Sequence, residues 1–439
     1  MFIRNMVTTV SARVTVLGLS LISSILLARL LGPDGRGLLA LVLILPGLAE
    51  SFGALGLHEA NTVFAGLERS KVPHLLWHSV GIATAVGTVL AIAATTYILL
   101  GAPGFESLIR GPLWLYILPL CAIPVVLLKM YWLSVLRGIN RIGTFNLIVV
   151  SQKLVSVALI VALIGGMRLG VGGAVWSNVL VEAGAVAAIA IVFTWLGELT
   201  RPAVDLSLLG QTRTFAVPAY AANLTQYLNY RLDQIVIAFF LDPAQLAFYV
   251  IAVGLVERIW IINEAVGIVL LPRLTAADRP KPVLTAEVAR HVFVWTGLAC
   301  VILFVLAGVV VRLLYSSAFA AAVSPLRWLL PGVLTLSVGK VLVAELLVRK
   351  KPHLSLITSI VSTSLNLAAN VVLVPRFGIA GAAVASTISY SVASLLLVRY
   401  YLRETEVPWT ALIPRWADGR QYLLLLRRVA TQARVASRF

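Results

Sequence analysis

The residues best suited to bind a charged ligand lie in one polar segment, NLTQYLNYRLDQ at 223–234, of a chain that is 60% hydrophobic. The apolar run IVIAFFL follows directly. On a helix of about 100° per residue, Tyr227, Tyr230 and Gln234 share one face, Arg231 lies beside them, and leucines occupy the opposite face. We therefore predict a helix whose polar face lines a hydrated cavity.

The depth of Arg231 makes its charge informative. It precedes Leu241, the end of the apolar run, by ten residues, or about 15 Å, near the middle of a bilayer core. A charge at that depth costs at least ~2.5–3.5 kcal/mol unless it faces protein or water. Because Arg231 and Asp233 are two residues apart, they do not face each other. Each therefore needs either water or an ion pair with a residue of another helix. Water at this depth would indicate a binding cavity, whereas an ion pair would have a structural role.

Further charged and polar residues at predicted membrane depth could share this cavity, which requires contributions from several helices. The candidate substrate-binding residues are Arg231, Lys153, Lys129, Lys340, Arg29, Asn223, Tyr227, Tyr230, Gln234 and Asn366. The candidate ion-coupling residues are the carboxylates Asp233, Glu264, Glu257 and Glu50. Other interpretations remain open, because polar stripes also serve close helix packing, and Lys129 and Glu264 could extend to the membrane interface.

Composition predicts an all-α polytopic membrane protein, since 12% of residues are charged against roughly 25% in soluble proteins. Apolar runs long enough to cross a bilayer recur along the whole chain. We predict twelve spanning helices, at 8–31, 38–64, 76–101, 113–136, 145–166, 171–196, 215–241, 246–271, 291–315, 326–348, 354–374 and 381–402.

Lysine and arginine are distributed unevenly between the predicted loops. With the N-terminus inside, the inside loops and termini carry about three times as many of them as the outside loops. This asymmetry predicts cytoplasmic N- and C-termini. It also explains the net charge of +17 without nucleic acid, because the basic loops would face an anionic leaflet.

The chain contains an internal repeat. RLGVGGAV at 168–175 matches RFGIAGAA at 376–383, and LLGPDGRG at 30–37 matches FLDPAQLA at 240–247. We predict two six-helix lobes around a central hydrated cleft, related by an axis along the membrane normal. The predicted domains are an N-terminal lobe at 1–200, a C-terminal lobe at 201–402, and a basic cytoplasmic tail at 403–439 that is either an amphipathic surface helix or disordered.

The motifs of several enzyme classes do not occur in this sequence. It lacks G-x-x-x-x-G-K-[ST], G-x-S-x-G and H-E-x-x-H. The two cysteines lie in apolar runs and form no zinc spacing. We expect no catalytic residue, no metal site and no cofactor. Short outside loops also disfavour a membrane polysaccharide polymerase or ligase.

The chain resembles the polysaccharide transporter family, the oligosaccharide flippases of the multidrug/oligosaccharidyl-lipid/polysaccharide superfamily. The resemblance covers nearly the whole chain, up to about residue 402. The matching stretches are LARLLGPDGRG, FGALGLHEANTVFA, YLNYRLDQIVIAFFL, AFYVIAVGLVERI, LLPRL and NVVLVPRFGIAGAAVASTISY.

The resemblance implies a function. Such a protein moves a polyprenyl-pyrophosphate-linked oligosaccharide across the bacterial plasma membrane by ion-coupled alternating access, for surface polysaccharide biosynthesis. We expect this substrate and membrane lipids as ligands, a polymerase or other assembly proteins as partners, no nucleic acid, and a monomer. A cation-coupled drug exporter of the same superfamily is the alternative. The coupling ion, H⁺ or Na⁺, is open.

Overall fold

The computed structural model describes residues 2–102, 106–200, 205–275, 282–415 and 418, and these fold almost entirely as helices. Helices suit apolar runs of this length, because a bilayer offers no water to unpaired backbone groups. The α-helices are α1 (Phe2–Val42), α2 (Ile44–Gly53), α3 (Leu57–Leu67), α4 (Val72–Leu99), α5 (Trp114–Cys121), α6 (Ile123–Gly138), α7 (Ile142–Leu159), α8 (Gly170–Trp195), α9 (Leu206–Phe240), α10 (Pro243–Glu257), α11 (Ile261–Thr275), α12 (Pro282–Tyr315), α13 (Val323–Val348) and α14 (Pro352–Thr405).

Two of these helices contain a sharp bend and supply two crossings each. The bends lie at Gly32 in α1 and at Gly378 in α14, where φ is 67° and 59°. Glycine fits there because it adopts positive φ without steric cost. Nine continuous stretches of the described residues are long and apolar enough to span a membrane, and the polar helix α9 is outside this set. Counting the two bends and α9 gives twelve crossings, which confirms the predicted fold class.

Helix α9 begins nine residues earlier than the sequence predicted. The sequence predicts a crossing from position 215, with a loop on the cytoplasmic side before it. Asp205 instead caps α9, accepting hydrogen bonds from the backbone N–H groups of Ser207 and Leu208. Such a cap satisfies N–H groups that the first helical turn leaves unpaired. The hydroxyl of Ser207 also bonds this carboxylate, and these hydrogen bonds hold the pKa of Asp205 below its ordinary value.

The internal repeat has a matching geometry in the two halves. Gly170 has φ of 56°, and Gly378, its counterpart, has 59°. Gly173 and Gly381 both pack against the preceding crossing so closely that an added Cβ would lie 3.1 Å and 2.3 Å from a backbone carbonyl oxygen. Equivalent close approaches support the repeat, while the division at residues 200 and 201 remains a prediction.

The two halves approach each other at glycines near both ends of the predicted cleft. At the predicted extracellular end, an added Cβ on Gly37 would lie 1.8 Å from the carbonyl oxygen of Pro243. At the predicted cytoplasmic end, one on Gly56 would lie 2.2 Å from the carbonyl oxygen of Ala216. Backbone therefore touches backbone on both sides of the membrane-embedded region that holds the polar face of α9.

Candidate functional site

The polar face of α9 lines a cavity of about 320 Å³ between the two halves. Tyr227, Arg231 and Gln234 contribute from α9, and Arg36 contributes from α1. Apolar side chains of α1, α2, α9 and α10, and of the residue between α1 and α2, complete the lining: Ala40, Leu43, Ile44, Leu48, Ile235 and Val250. Three of the predicted substrate-binding residues therefore meet at one cavity, and its described lining carries positive charge without a carboxylate.

A second cavity, of about 420 Å³, lies nearer the predicted cytoplasmic side. Its lining includes Glu50, His58, Glu59 and Tyr220. Tyr227 lines this cavity as well as the one that contains Arg231. The tyrosine ring therefore lies between two adjoining spaces that follow α9 through the membrane.

Arg231 forms an ion pair across the cavity wall. Its guanidinium nitrogen lies 3.5 Å from the Glu257 carboxylate of α10. The two side chains remain 37% and 28% exposed, so this is not a sealed structural pair. Glu257, a predicted ion-coupling residue, is thus the direct counter-ion of the predicted substrate-binding arginine.

Asp233 lies on the other side of α9 and is buried within the second half. Its carboxylate accepts hydrogen bonds from the hydroxyl groups of Tyr249 and Ser386, the latter at 3.3 Å, and from the backbone N–H of Gln234 at 2.7 Å. Two residues along a helix differ in direction by about 200°. That rotation explains why Arg231 faces the cavity while Asp233 faces protein.

The hydrogen bonds continue from Asp233 into a buried network between α9 and the two arms of α14. Asn366 donates to the hydroxyl oxygens of Ser386 and Ser389, at 3.3 Å and 3.2 Å. Ser362 donates to the side-chain oxygen of Asn229 at 3.2 Å. The predicted Asn366 therefore belongs to the surroundings of Asp233 rather than to the Arg231 cavity.

This network reaches a third cavity, of about 390 Å³. Asn229 and Ser362 line it together with Lys340 and Ser359. Lys340 places its ammonium 3.4 Å from the ring centre of Trp260 and 5.4 Å from that of Tyr230. Two predicted substrate-binding residues, Lys340 and Tyr230, are thus held together by a cation–π contact.

The first half holds its own charged cluster. Lys129 of α6 pairs with Glu182 of α8, and both side chains are about 15% exposed or less. Gln152 also donates to Glu182, at 3.2 Å. Glu50 and Lys153 interact electrostatically with members of this pair. Four charged side chains therefore compensate one another within the helices of the first half.

The structure places Arg29 away from the cavities. Its guanidinium donates to the backbone carbonyl oxygens of Leu313 and Leu314 at the end of α12, the latter at 2.8 Å. Arg110 pairs with Asp242 at 3.0 Å, again across the two halves. These groups join the halves at the predicted extracellular side. The side chains of Asn223 and Glu264 lie outside the described part of the chain.

Sequence reasoning missed Arg36 and Glu182. The sequence predicts that Arg36 lies in an outside loop, because the predicted crossings end at position 31 and start again at position 38. The arginine-containing stretch instead continues the helix after the bend at Gly32. Glu182 lies in the middle of the sixth predicted crossing, where a carboxylate requires a partner. That depth was the signal that could have identified it.

No cluster of three or more His, Cys, Asp or Glu side chains suited to a metal ion occurs among the described residues. Oxygen-bearing side chains do gather around Asp233: the hydroxyl groups of Tyr249 and Ser386 and, one hydrogen bond further on, the amide of Asn366. Oxygen ligands of this kind suit hard cations.

The fold matches solved membrane transporters. A structure of the lipid II flippase MurJ, in an inward closed conformation, aligns with a TM-score of 0.73 at 14% identity, covering 93% of this chain and 89% of that one. An inward-facing multidrug resistance transporter of the MATE family aligns with a TM-score of 0.72 at 16% identity, covering 90% and 96%. A MATE transporter from Vibrio cholerae aligns with a TM-score of 0.63 at 14% identity, covering 93% and 97%.

These identities are low, so the alignments establish a shared fold rather than a shared ligand. A sequence search of curated proteins gave no match. The family model described as "Polysaccharide biosynthesis protein" matches residues 26–324, which is more than half of the chain. This match agrees with the resemblance that the sequence motifs carry, and the chain therefore belongs to the polysaccharide biosynthesis protein family of membrane proteins.

Proposed function

We propose that the chain is a flippase that moves a polyprenyl-pyrophosphate-linked oligosaccharide from the inner to the outer leaflet of the bacterial plasma membrane. The observation that carries the proposal is the cavity beside α9. Arg36 and Arg231 both line it, and no described lining residue is acidic. A cationic cavity at membrane depth suits an anionic head group whose lipid stays in the bilayer.

Each part of such a substrate has a matching environment. The pyrophosphate would be held by Arg231, whose guanidinium can form paired hydrogen bonds to phosphate oxygens. The glycan would contact Tyr227 and Gln234, which offer an aromatic face and amide hydrogen bonds. Because Tyr227 also borders the second cavity, the head group would pass this ring on its way across. The prenyl chain would remain among lipids.

Alternating access would be driven by a cation at Asp233. This carboxylate has hydroxyl groups of Tyr249 and Ser386 against it, and Asn366 lies one hydrogen bond further on. The third cavity reaches the same network through Asn229 and Ser362. A Na⁺ ion or a proton arriving there would neutralise Asp233 and change the packing of α9 against α14.

A cation-coupled drug exporter is the alternative activity of this fold. The two arginines that line the cavity would disfavour a cationic drug, because bringing like charges together away from water costs free energy. We propose no chemical step for this protein. We further propose that it acts as a monomer alongside a polymerase or other assembly proteins, with cytoplasmic termini.

The proposal is tested by measuring the movement of a fluorescent polyprenyl-pyrophosphate oligosaccharide in proteoliposomes. The native protein should accelerate movement, and Arg231→Gln should reduce it at least tenfold at normal protein abundance. Arg376→Gln, which removes the same charge from an exposed position, serves as the matched control. Native protein that moves a cationic dye but no lipid-linked glycan would establish the exporter instead.

A further inference from the structure

Arg36 is a cationic residue of the cavity, and no acidic side chain among the described residues forms an ion pair with it. It lies four residues beyond the bend at Gly32, about 6 Å along the second arm of α1. Arg231 lies ten residues, about 15 Å, before Leu241 at the end of α9. The two arginines line one cavity. Arg36 lies nearer its predicted extracellular end, because the next residue, Gly37, packs on Pro243, just beyond the end of α9.

The guanidinium of Arg36 is incompletely satisfied. Its Nε atom is buried and has no hydrogen-bond partner among the described residues. The described lining of the cavity contains no carboxylate. The electrostatic neighbour of Arg36 is the phenol of Tyr315, which hydrogen-bonds Ser24 at 3.3 Å. Arg231, by comparison, has Glu257.

An uncompensated guanidinium away from water is costly, because burial removes its hydration without supplying an opposite charge. An anion entering the cavity would supply both the charge and an acceptor for Nε. Arginine presents a planar set of N–H donors that matches phosphate oxygens in pairs, unlike the point charge of lysine. The geometry thus favours a phosphate group over a monovalent halide.

We infer that Arg36 is a second anion-binding position, on the extracellular side of Arg231, that takes a pyrophosphate group. The identity of that anion as the head of a lipid-linked glycan rests on the proposed function, whereas the binding of pyrophosphate itself does not. Arg36 directly precedes Gly37, which packs on the carbonyl of Pro243. A group bound at Arg36 therefore lies beside the contact that closes the extracellular end.

The test measures the affinity of inorganic pyrophosphate for the full chain in lipid nanodiscs, by isothermal titration calorimetry. Arg36→Gln should weaken binding at least tenfold, since a charge-assisted bidentate contact is lost. Arg36→Lys should weaken it to an intermediate degree, because the charge stays and the paired geometry goes. Arg376→Gln, with the same loss of charge at an exposed site, should bind as the native protein does.

Native-like affinity in both Arg36 variants would overturn the inference, as would an equal loss in Arg376→Gln, which would indicate a non-specific effect of net charge. If Arg36→Gln does not fold, as judged by its melting temperature and elution profile, the Arg36→Lys result decides. The protein could bind pyrophosphate through Arg36 and yet move no lipid-linked glycan. That result would contradict the proposed function but would support the assignment of Arg36 as an anion-binding residue.

Discussion

At the scale of single residues, the two charges of the polar segment separate into different environments. Arg231 faces a cavity and keeps over a third of its surface exposed. Asp233, two residues later, is 1% exposed and enclosed by hydrogen-bond donors. The helical rotation between them makes one residue available to a ligand and the other to the packing between helices. Substrate binding and ion coupling can therefore be tested separately.

Asp233→Asn tests the coupling proposal. The substitution keeps the shape of the side chain but removes the charge that a cation would neutralise. We expect glycan movement in proteoliposomes to lose its response to an imposed Na⁺ or H⁺ gradient and to fall to the rate without a gradient. Asp34→Asn changes an exposed carboxylate on the predicted outside and should respond normally. The same measurement on Glu264→Gln tests a second carboxylate that the sequence predicts to couple transport to the ion gradient.

Two results would count against this assignment. Native flux that ignores both gradients would exclude ion coupling altogether. A gradient response that persists in Asp233→Asn would remove Asp233 from the coupling site and leave the other predicted carboxylates.

The pair between Lys129 and Glu182 predicts a stability effect rather than a transport effect. Glu182→Gln leaves Lys129 without its partner, and breaking a buried pair typically costs about 3–5 kcal/mol. We expect a clearly lower melting temperature in detergent for this variant. The double variant Lys129→Met with Glu182→Gln should recover part of the loss, because neither charge is then unpaired. If the loss of stability in the double variant equals the sum of the losses in Lys129→Met alone and Glu182→Gln alone, the two residues are not coupled.

At the scale of elements, the structural features that depend on runs of apolar residues could be predicted from the sequence. Twelve crossings and the repeated glycines follow from length, hydropathy and spacing. Helix ends were less predictable: the cap at Asp205 and the bend at Gly32 depend on local hydrogen bonds and backbone angles that hydropathy does not reflect. The error at Gly32 had a direct consequence, because it placed Arg36 in a loop rather than in the cavity.

The partners of charged residues were the least predictable part of the site. The sequence shows that Lys129, Arg231 and Asp233 each need a partner at membrane depth, but the partner depends on how helices pack. Glu182 and Glu257 are far from these residues in the chain, and their contacts exist only in the folded protein. The hydroxyl of Tyr249 beside Asp233 is a similar case.

The glycine contacts between the halves form a matched pair of tests. An alanine at Gly37 would collide with the carbonyl of Pro243, and an alanine at Gly56 with that of Ala216. Gly37→Ala should therefore hold the predicted extracellular end open, and Gly56→Ala the predicted cytoplasmic end. Spin-label distances across each end should lengthen in the corresponding variant alone. Lengthening at the same end in both variants would contradict opposed closures.

At the scale of the whole molecule, both halves take part in the cavity that holds Arg231. Arg36 and Arg231 come from different halves, and so do the paired residues Arg110 and Asp242. A movement of one half against the other would therefore change the cavity and its closures together. This coupling between shape and access is what a transporter with two similar halves requires.

The orientation of the molecule is tested by cysteine labelling. The basic loops predict that Asp34 lies outside and the turn at Asn140 inside, and both positions are exposed. Cys121 is exposed and must first be replaced by serine, whereas Cys300 is buried. A membrane-impermeant maleimide applied to intact cells should then label Asp34→Cys, and should label Asn140→Cys only after the membrane is opened. Leu208, in the segment that we expected to be a cytoplasmic loop, is buried and would resist labelling in either orientation. Labelling of Asn140→Cys in intact cells would invert the topology, and with it the direction in which Arg231 and Arg36 would meet the substrate.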